Sequence, residues 1–307
     1  MDIAAILSIA RSQFLRDTKT PPLWSDAYLA QCASQAERDA TERGYLLSSF
    51  PNVTSATAAD ISSGAATGTT ASKLVDSAAA FTSACLNKTV YNTTDGTFAT
   101  VTVVDSTTQL SLSANIMATG EAYVIGDASK ALTRVCVVSG QSEYSLSSKV
   151  LKVKKCYLNS SKIPLIQKTE GWLDAHWYQW RAATGTPQYY IEDRGSITLV
   201  PQPDSSLNSD TGKDTLLLSV YRYPLNDLSL STLREPEIPE EYHLDLVHGI
   251  CALAYQKADA ETYNPGKGNW HEGEFTRKFG PKLSSRGKEA LRDMPSDFEI
   301  TQPQIIC

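Results

Sequence analysis

The chain has 307 residues, 41% of them hydrophobic and 20% charged, with a net charge of −6. That length buries the core of one large or two modest domains, and the composition is ordinary for a soluble globular protein. The acidic balance argues against a surface built to grip nucleic acid or anionic lipid, because phosphate binding needs clustered Lys and Arg.

The apolar run from Ile3 to Ala10 has neither a basic leader nor a small-residue cleavage site, so no signal peptide is expected. No stretch is long enough to cross a bilayer. Asp2 is placed to cap a helix whose Ile3, Ile6 and Ile9 share a face. Asp17 to Pro22 is a break. Ser25 then caps a second helix, with Trp24 just ahead of it as a hydrophobic staple. Arg38–Glu42 and Asp39–Arg43 are pairs on its outer faces. Leu29, Ala33, Ala36 and Ala40 share another face, and so much alanine allows close approach of a second helix. That contact lies either within the subunit or between subunits, which makes these four the candidate subunit-packing residues.

At about Val53 the composition shifts. From Thr54 to Asp127 the chain is dominated by Thr, Ser and Ala. Short β-like runs such as KTVYNTT, TFATVTVVDS, QLSLSA and EAYVIG follow one another, and Asp95-Gly96 between two of them is a hairpin signal. A small antiparallel β module, inserted over 54–127, is the expectation. Beyond it, ALTRVCVV and SKVLKVKKCYL read as strands. Lys152, Lys154 and Lys155 in the second read as a solvated strand face. Trp172, Trp177 and Trp180 mark a short helix. PQYYIEDRGSITLVPQP is a hairpin turning at Asp193-Arg194-Gly195, and DTLLLSVYRYP is a strand.

Ile238-Pro239-Glu240-Glu241 starts a late helix, since proline and acids suit the first turn. Leu246, Ile250 and Leu253 form its core stripe. His243 and His248 are five apart and diverge by about 140° on an ideal helix, so they do not chelate one metal. His271 has no evident partner in sequence, and the helix reads as a packing helix. Trp270, Phe275, Phe279 and Leu283 begin a second stripe that continues to about Arg292, broken at Gly280-Pro281. Together the two make an antiparallel helical hairpin. The end, MPSDFEITQPQIIC, has no helical period but carries Phe298, Ile300, Ile305 and Ile306, an apolar set suited to docking on a partner.

The search for chemistry finds no GxSxG, Walker loop or Rossmann fingerprint. Six cysteines (Cys32, Cys85, Cys136, Cys156, Cys251, Cys307) contain no CxxC pair and are expected reduced and mostly buried. Glu192 and Asp193 are sequence neighbours in a turn, whereas a glycosidase pair must face each other across a bond. Neither a catalytic set nor a cofactor or metal site is expected. The fold class is α+β: a helical body with antiparallel strands over 1–53 and 128–293, the inserted β module, and an extended tail over 294–307.

With the insert set aside, the order of elements resembles the head-to-tail adaptor (connector) proteins of tailed bacteriophages. The resemblance is carried by WSDAYLAQCASQAERDATERGYLL, by GTPQYYIEDRGSITLVPQP, and by YRYPLNDLSLSTLREPEIPEEYHLDLVHGICALAYQKADAE. It covers about 1–50 and 130–292, while 54–127 departs from the plainer adaptors. It implies a virion protein made in the host cytoplasm, forming a ring of twelve copies between the portal and the nozzle or tail-tube proteins. DNA would pass through its channel without sequence-specific binding, no membrane would be involved, and Phe298, Ile300, Ile305 and Ile306 would reach the portal. Two other readings are a phage-associated cell-wall hydrolase and a host- or carbohydrate-binding module centred on 54–127.

Overall fold

The computed structural model describes residues 1–50, 62–86, 88–95, 97–126, 132–161, 163–204, 213–230, 233–259 and 261–293. Helix α1 (Ile3–Ile9) continues as a π-helical segment, Ala10–Leu15, and α2 spans Asp26–Gly44. After β1 (Ser48–Ser49) come β2 (Ser62–Ala65), β3 (Lys73–Val75), β4 (Thr89–Asn92), β5 (Phe98–Ser106), β6 (Gln109–Leu112) and β7 (Ala122–Gly126). Next are β8 (Arg134–Val138), β9 (Glu143–Ser145), β10 (Val150–Leu158), β11 (Pro164–Gln167), helix α3 (Glu170–His176), β12 (Tyr189–Asp193), β13 (Ser196–Val200) and β14 (Lys213–Arg222). Helices α4 (Leu246–Tyr255), α5 (Pro265–Phe279) and α6 (Ser285–Asp293) close the described chain. It is a mixed α+β protein that divides into two compact units. One is Met1–Ser48 with Tyr221–Lys288, and the other is Ser49–Val220 with the chain from Glu289.

In the second unit, β2 to β7 form one antiparallel sheet in the order β2-β7-β4-β5-β6-β3. Alternation sets its inside: in β5, Ala99 and Val101 are buried while Phe98, Thr100 and Thr102 face out. Just beyond β2, Thr67 N–H donates to the Val75 carbonyl at 2.8 Å, and Gly68 bridges Val75 antiparallel. The outermost strands therefore meet, and the sheet curls closed around Leu74, Phe81, Val90, Val101, Leu110 and Ile125. Tyr123 and Asp76 are buried with them, the phenol donating to the carboxylate at 2.7 Å. A Cβ on Gly64 would sit 2.5 Å from that carboxylate, so the strand needs glycine there. The turn expected at Asp95-Gly96 falls between β4 and β5, which pair Tyr91 with Phe98; Gly96 itself lies outside the described residues.

The other sheet runs β1-β14-β10-β11-β12-β13-β9, with β8 also paired to β14. The β12–β13 hairpin turns where expected, with Asp193 opposite Ser196 and Gly195 at φ +77, a conformation that favours glycine. One pairing departs from the antiparallel expectation. β11 and β12 are parallel, Ile166 opposite Tyr189. The cause is α3: parallel neighbours need a crossover, and the short aromatic helix supplies it.

In the first unit the sequence caps its own helices. Asp2 Oδ1 accepts from Ala5 N–H at 2.8 Å, and Ser25 Oγ accepts from Tyr28 N–H at 3.3 Å. Between them Arg11 donates to Asp17 at 2.5 Å and to Asp26 at 2.6 Å, tying the break to both helices. Trp24 does not merely staple its own helix. Its indole N–H reaches the Ala254 carbonyl at the end of α4, at 3.0 Å. Trp270, expected in the core stripe of α5, is 56% exposed. The buried positions of α5 are Gly268, His271, Phe275 and Phe279, the row that helical steps of three and four trace back from Phe279.

The contact of α2, α4 and α5 leaves no spare volume. A Cβ on Gly249 of α4 would lie 2.7 Å from Phe275 Cε2 and 2.9 Å from Ala36 Cβ. Such overpacking costs about 1–3 kcal/mol, outweighing the roughly 1 kcal/mol by which alanine beats glycine in a helix. Gly249→Ala is therefore expected to lower the urea midpoint. Gly273→Ala in α5, where nothing lies within 4 Å, should raise it.

Candidate interaction surfaces

Titratable groups in the helical unit serve packing. His243 is buried, and its Nε2 sits 2.9 Å from the Ile238 carbonyl. His271 does have a partner: its Nδ1 is 3.1 Å from Nδ1 of His248. One ring must donate and the other accept, so two charged imidazoles are incompatible with this contact. Phe14 lies edge-on to both rings at 5.2 and 5.6 Å, and Tyr255 stacks on His271 at 5.9 Å. Burial pushes both pKa values below the usual histidine range, that of His271 to about 4. Glu274 and Asp245 oppose the shift at His248, while Arg277 and Lys278 reinforce it. No pattern in sequence links positions 248 and 271, because the pair exists only once α4 and α5 pack. No group of three or more potential metal ligands occurs among the described residues.

Glu37 of α2 is also buried, and it accepts from Glu237 N–H at 2.5 Å. Burial pushes its pKa up to about 7. Arg222 and Glu237 pair at 2.6 Å beside it, and Glu237 accepts from Leu225 N–H and Asn226 N–H. Together these contacts fix the connection from β14 to α4.

The face of α2 carrying Leu29, Ala33, Ala36 and Ala40 is buried in the helical core with Leu246, Ile250, Cys251 and Phe275. Of the two contacts that such a face allows, the one within the chain is present. On another side of α2 an open groove of about 700 Å³ is bordered by Ala27, Ala30, Gln31, Arg38, Leu228 and Leu230. Ser34 holds its wall, accepting from Leu228 N–H at 2.9 Å. Phe298, Ile300, Ile305 and Ile306 lie outside the described residues.

In the strand-rich unit a polar groove of about 510 Å³ is bordered by Glu143, Lys168, Glu170, Asp193 and Thr198. The neighbouring carboxylates Glu192 and Asp193 part company. Glu192 turns inward and accepts from Val153 N–H at 2.9 Å, whereas Asp193 stays exposed at the tip. Cys32, Cys85, Cys156 and Cys251 are free, buried thiols. The side chains of Cys136 and Cys307 lie outside the described residues.

The same unit exposes a face of β10 and β11. Cys156 pairs with Leu165, both buried, so alternation turns Lys155 and Ile166 outward side by side. Ile163 is 67% exposed and Ile166 47%. Lys154 lies over the exposed Phe50 ring at 5.2 Å, and Lys168 over Trp172 at 4.1 Å. Across residues 149–168 the sequence has six lysines and no acid.

The family model of the SU10 adaptor protein matches residues 69–295, and the chain belongs to that family. The matched span crosses most of the Thr-rich segment, which the resemblance read from sequence had set aside, and it begins after α2. A search of curated proteins gives no match. Membership makes the chain a phage adaptor-type structural protein. Among the described residues no helix is long and apolar enough to cross a membrane.

The buried titratable groups predict opposite pH dependences. Folded His271 binds a proton only near pH 4, against an ordinary 6.5, so its contribution to stability is present above 6.5 and lost as pH falls toward 4. Glu37 keeps its proton to about 7, against an ordinary 4.5, so its contribution is full below 4.5 and lost as pH rises through 7. Urea midpoints across this range should show the acid-side loss reduced in His248→Phe/His271→Phe. The alkaline-side loss should shrink in Glu37→Gln, whose amide oxygen still accepts from Glu237.

Proposed function

We propose that this protein assembles as a ring between the portal and the tail and continues the DNA channel after packaging. The observation that carries the reading is the adaptor family match over 69–295. Its chemistry is compatible. A net charge of −6 suits a conduit that DNA traverses without sticking. Small contacts repeated around a ring become strong together through multivalency. Twelve copies, matched to portal symmetry, is the stoichiometry of this reading, and the virion's head–tail interface is its location. The apolar tail, with Phe298, Ile300, Ile305 and Ile306, is the portal-reaching segment.

The body of this proposal is the chain without its barrel. β2 and β7 are paired neighbours, Ser62 opposite Ile125, so the chain enters and leaves the barrel at adjacent points. The barrel also has its own buried core. On this reading the segment 54–127 is a self-contained insertion that portal joining does not require.

Purified protein mixed with isolated portal rings and imaged by electron microscopy is expected to add a ring of density to one end of the portal. Portal rings that stay bare at saturating protein would sink the reading. A chain truncated after Met294 should lose portal binding while keeping its circular dichroism spectrum; unchanged binding removes the role of the tail. Replacing 54–127 by a short Gly-Ser linker should leave portal binding intact.

A further inference from the structure

The chain is acidic overall, yet residues 149–168 carry six lysines and no acid. On the structure this stretch is β10, β11 and their flanks, and among its described residues Lys155, Ile163 and Ile166 are exposed. Lys155 stands beside Ile166, Ile163 is more exposed still, and Lys168 follows on the Trp172 ring. Isoleucines 47% and 67% exposed on a basic strand pair are more than solvation of a strand face requires.

The helical unit carries a segment of opposite character. Residues 233–245 hold five carboxylates against one arginine. Glu235, Glu240 and Glu241 are exposed, as are Leu233 and Leu244 at 56% and 58%. Glu241, through its charge and a side-chain hydrogen bond, raises the pKa of the adjacent Tyr242. Part of this charge is met within the chain: the Met1 ammonium lies 3.5 Å from Glu235 and 3.7 Å from Glu240, Arg222 pairs with Glu237 at 2.6 Å, and Lys278 pairs with Asp245 at 3.2 Å. Glu241 and Leu244 remain outward.

We infer that the Lys155–Ile166 face of one copy docks on the Glu240–Leu244 segment of a second copy. The inference rests on the ring reading and deepens it by naming the surfaces that meet. Charge and apolar character complement each other on both sides, so leucines meet isoleucines while carboxylates meet lysines. A duplex phosphate backbone would use the lysines but leave the isoleucines without a partner, which favours a protein occupant over DNA. The two patches differ, so the contact is heterologous. That is the type of contact from which closed rings are built.

The test is zero-length carbodiimide cross-linking of a mixture of ¹⁴N- and ¹⁵N-labelled full-length protein, read by mass spectrometry. Mixed-label links from Lys155 or Lys168 to Glu235, Glu240 or Glu241 are expected, and they should fade in high salt. Lys155→Glu/Lys168→Glu should weaken self-association, measured by sedimentation, by at least about tenfold, and adding Glu240→Lys/Glu241→Lys should restore it. Circular dichroism confirms that each variant is folded. A chain that stays monomeric at its highest soluble concentration overturns the inference. So do mixed-label links confined to other surfaces, or charge reversals that abolish duplex DNA binding and leave self-association unchanged. If the protein decorates portal rings but cross-links elsewhere, this surface is wrong and the ring reading stands. If it self-associates through these residues and ignores the portal, the surface stands and the portal role falls.

Discussion

The helical unit depends on one close contact, that of Ala36 on α2, Gly249 on α4 and Phe275 on α5. Because Gly249 has no side chain, the Phe275 ring lies against the backbone of α4 at a distance that a methyl group would forbid. The neighbouring small residues, Ala33 and Ala40, continue the same approach along α2. Cores are packed to crystal-like density, so this approach fixes the position of everything hung on these helices. Trp24 can reach the last carbonyls of α4 and Glu37 can reach Glu237 only with α2 held at this spacing. The basis of the unit is therefore steric, and its polar contacts are consequences.

That ordering explains why the buried polar groups look like catalytic candidates without being organised as one. Glu37, His248 and His271 all have displaced pKa values, which is a common mark of a functional site. Here desolvation is the first cause in each case, and each group is satisfied by structure: a backbone N–H, or the other imidazole. A working pair of titratable groups needs a cleft between them, and these lie against aromatic rings and helix backbone.

Much of the fold was legible in the residues. Asp2 and Ser25 announce their helices because a cap needs only a short polar side chain at one position. The strands β5, β10, β12 and β13 follow from alternation, and Gly195 marks its turn because its φ is positive. What escaped was nonlocal. The parallel pairing of β11 with β12 is set by a crossover, which no two-residue period reveals. The His248–His271 contact joins residues on different helices. The outward turn of Trp270 was readable in principle, since stepping back from Phe279 in threes and fours passes through His271, but the size of the indole drew the assignment to the core. The basic run in β10 was visible as sequence. Its association with exposed isoleucines became evident only once β11 was laid beside it.

The closure of the small β2–β7 barrel bears on how this module meets other chains. A sheet with open margins offers rows of unused N–H and C=O groups, and neighbours crowded into one assembly tend to zip along them. Here the bridge from Gly68 to Val75 joins the two margins to each other. Association through this module must then go through side chains, which are specific, instead of through main chain, which is indifferent to sequence. Strand exchange along this module is in this way blocked.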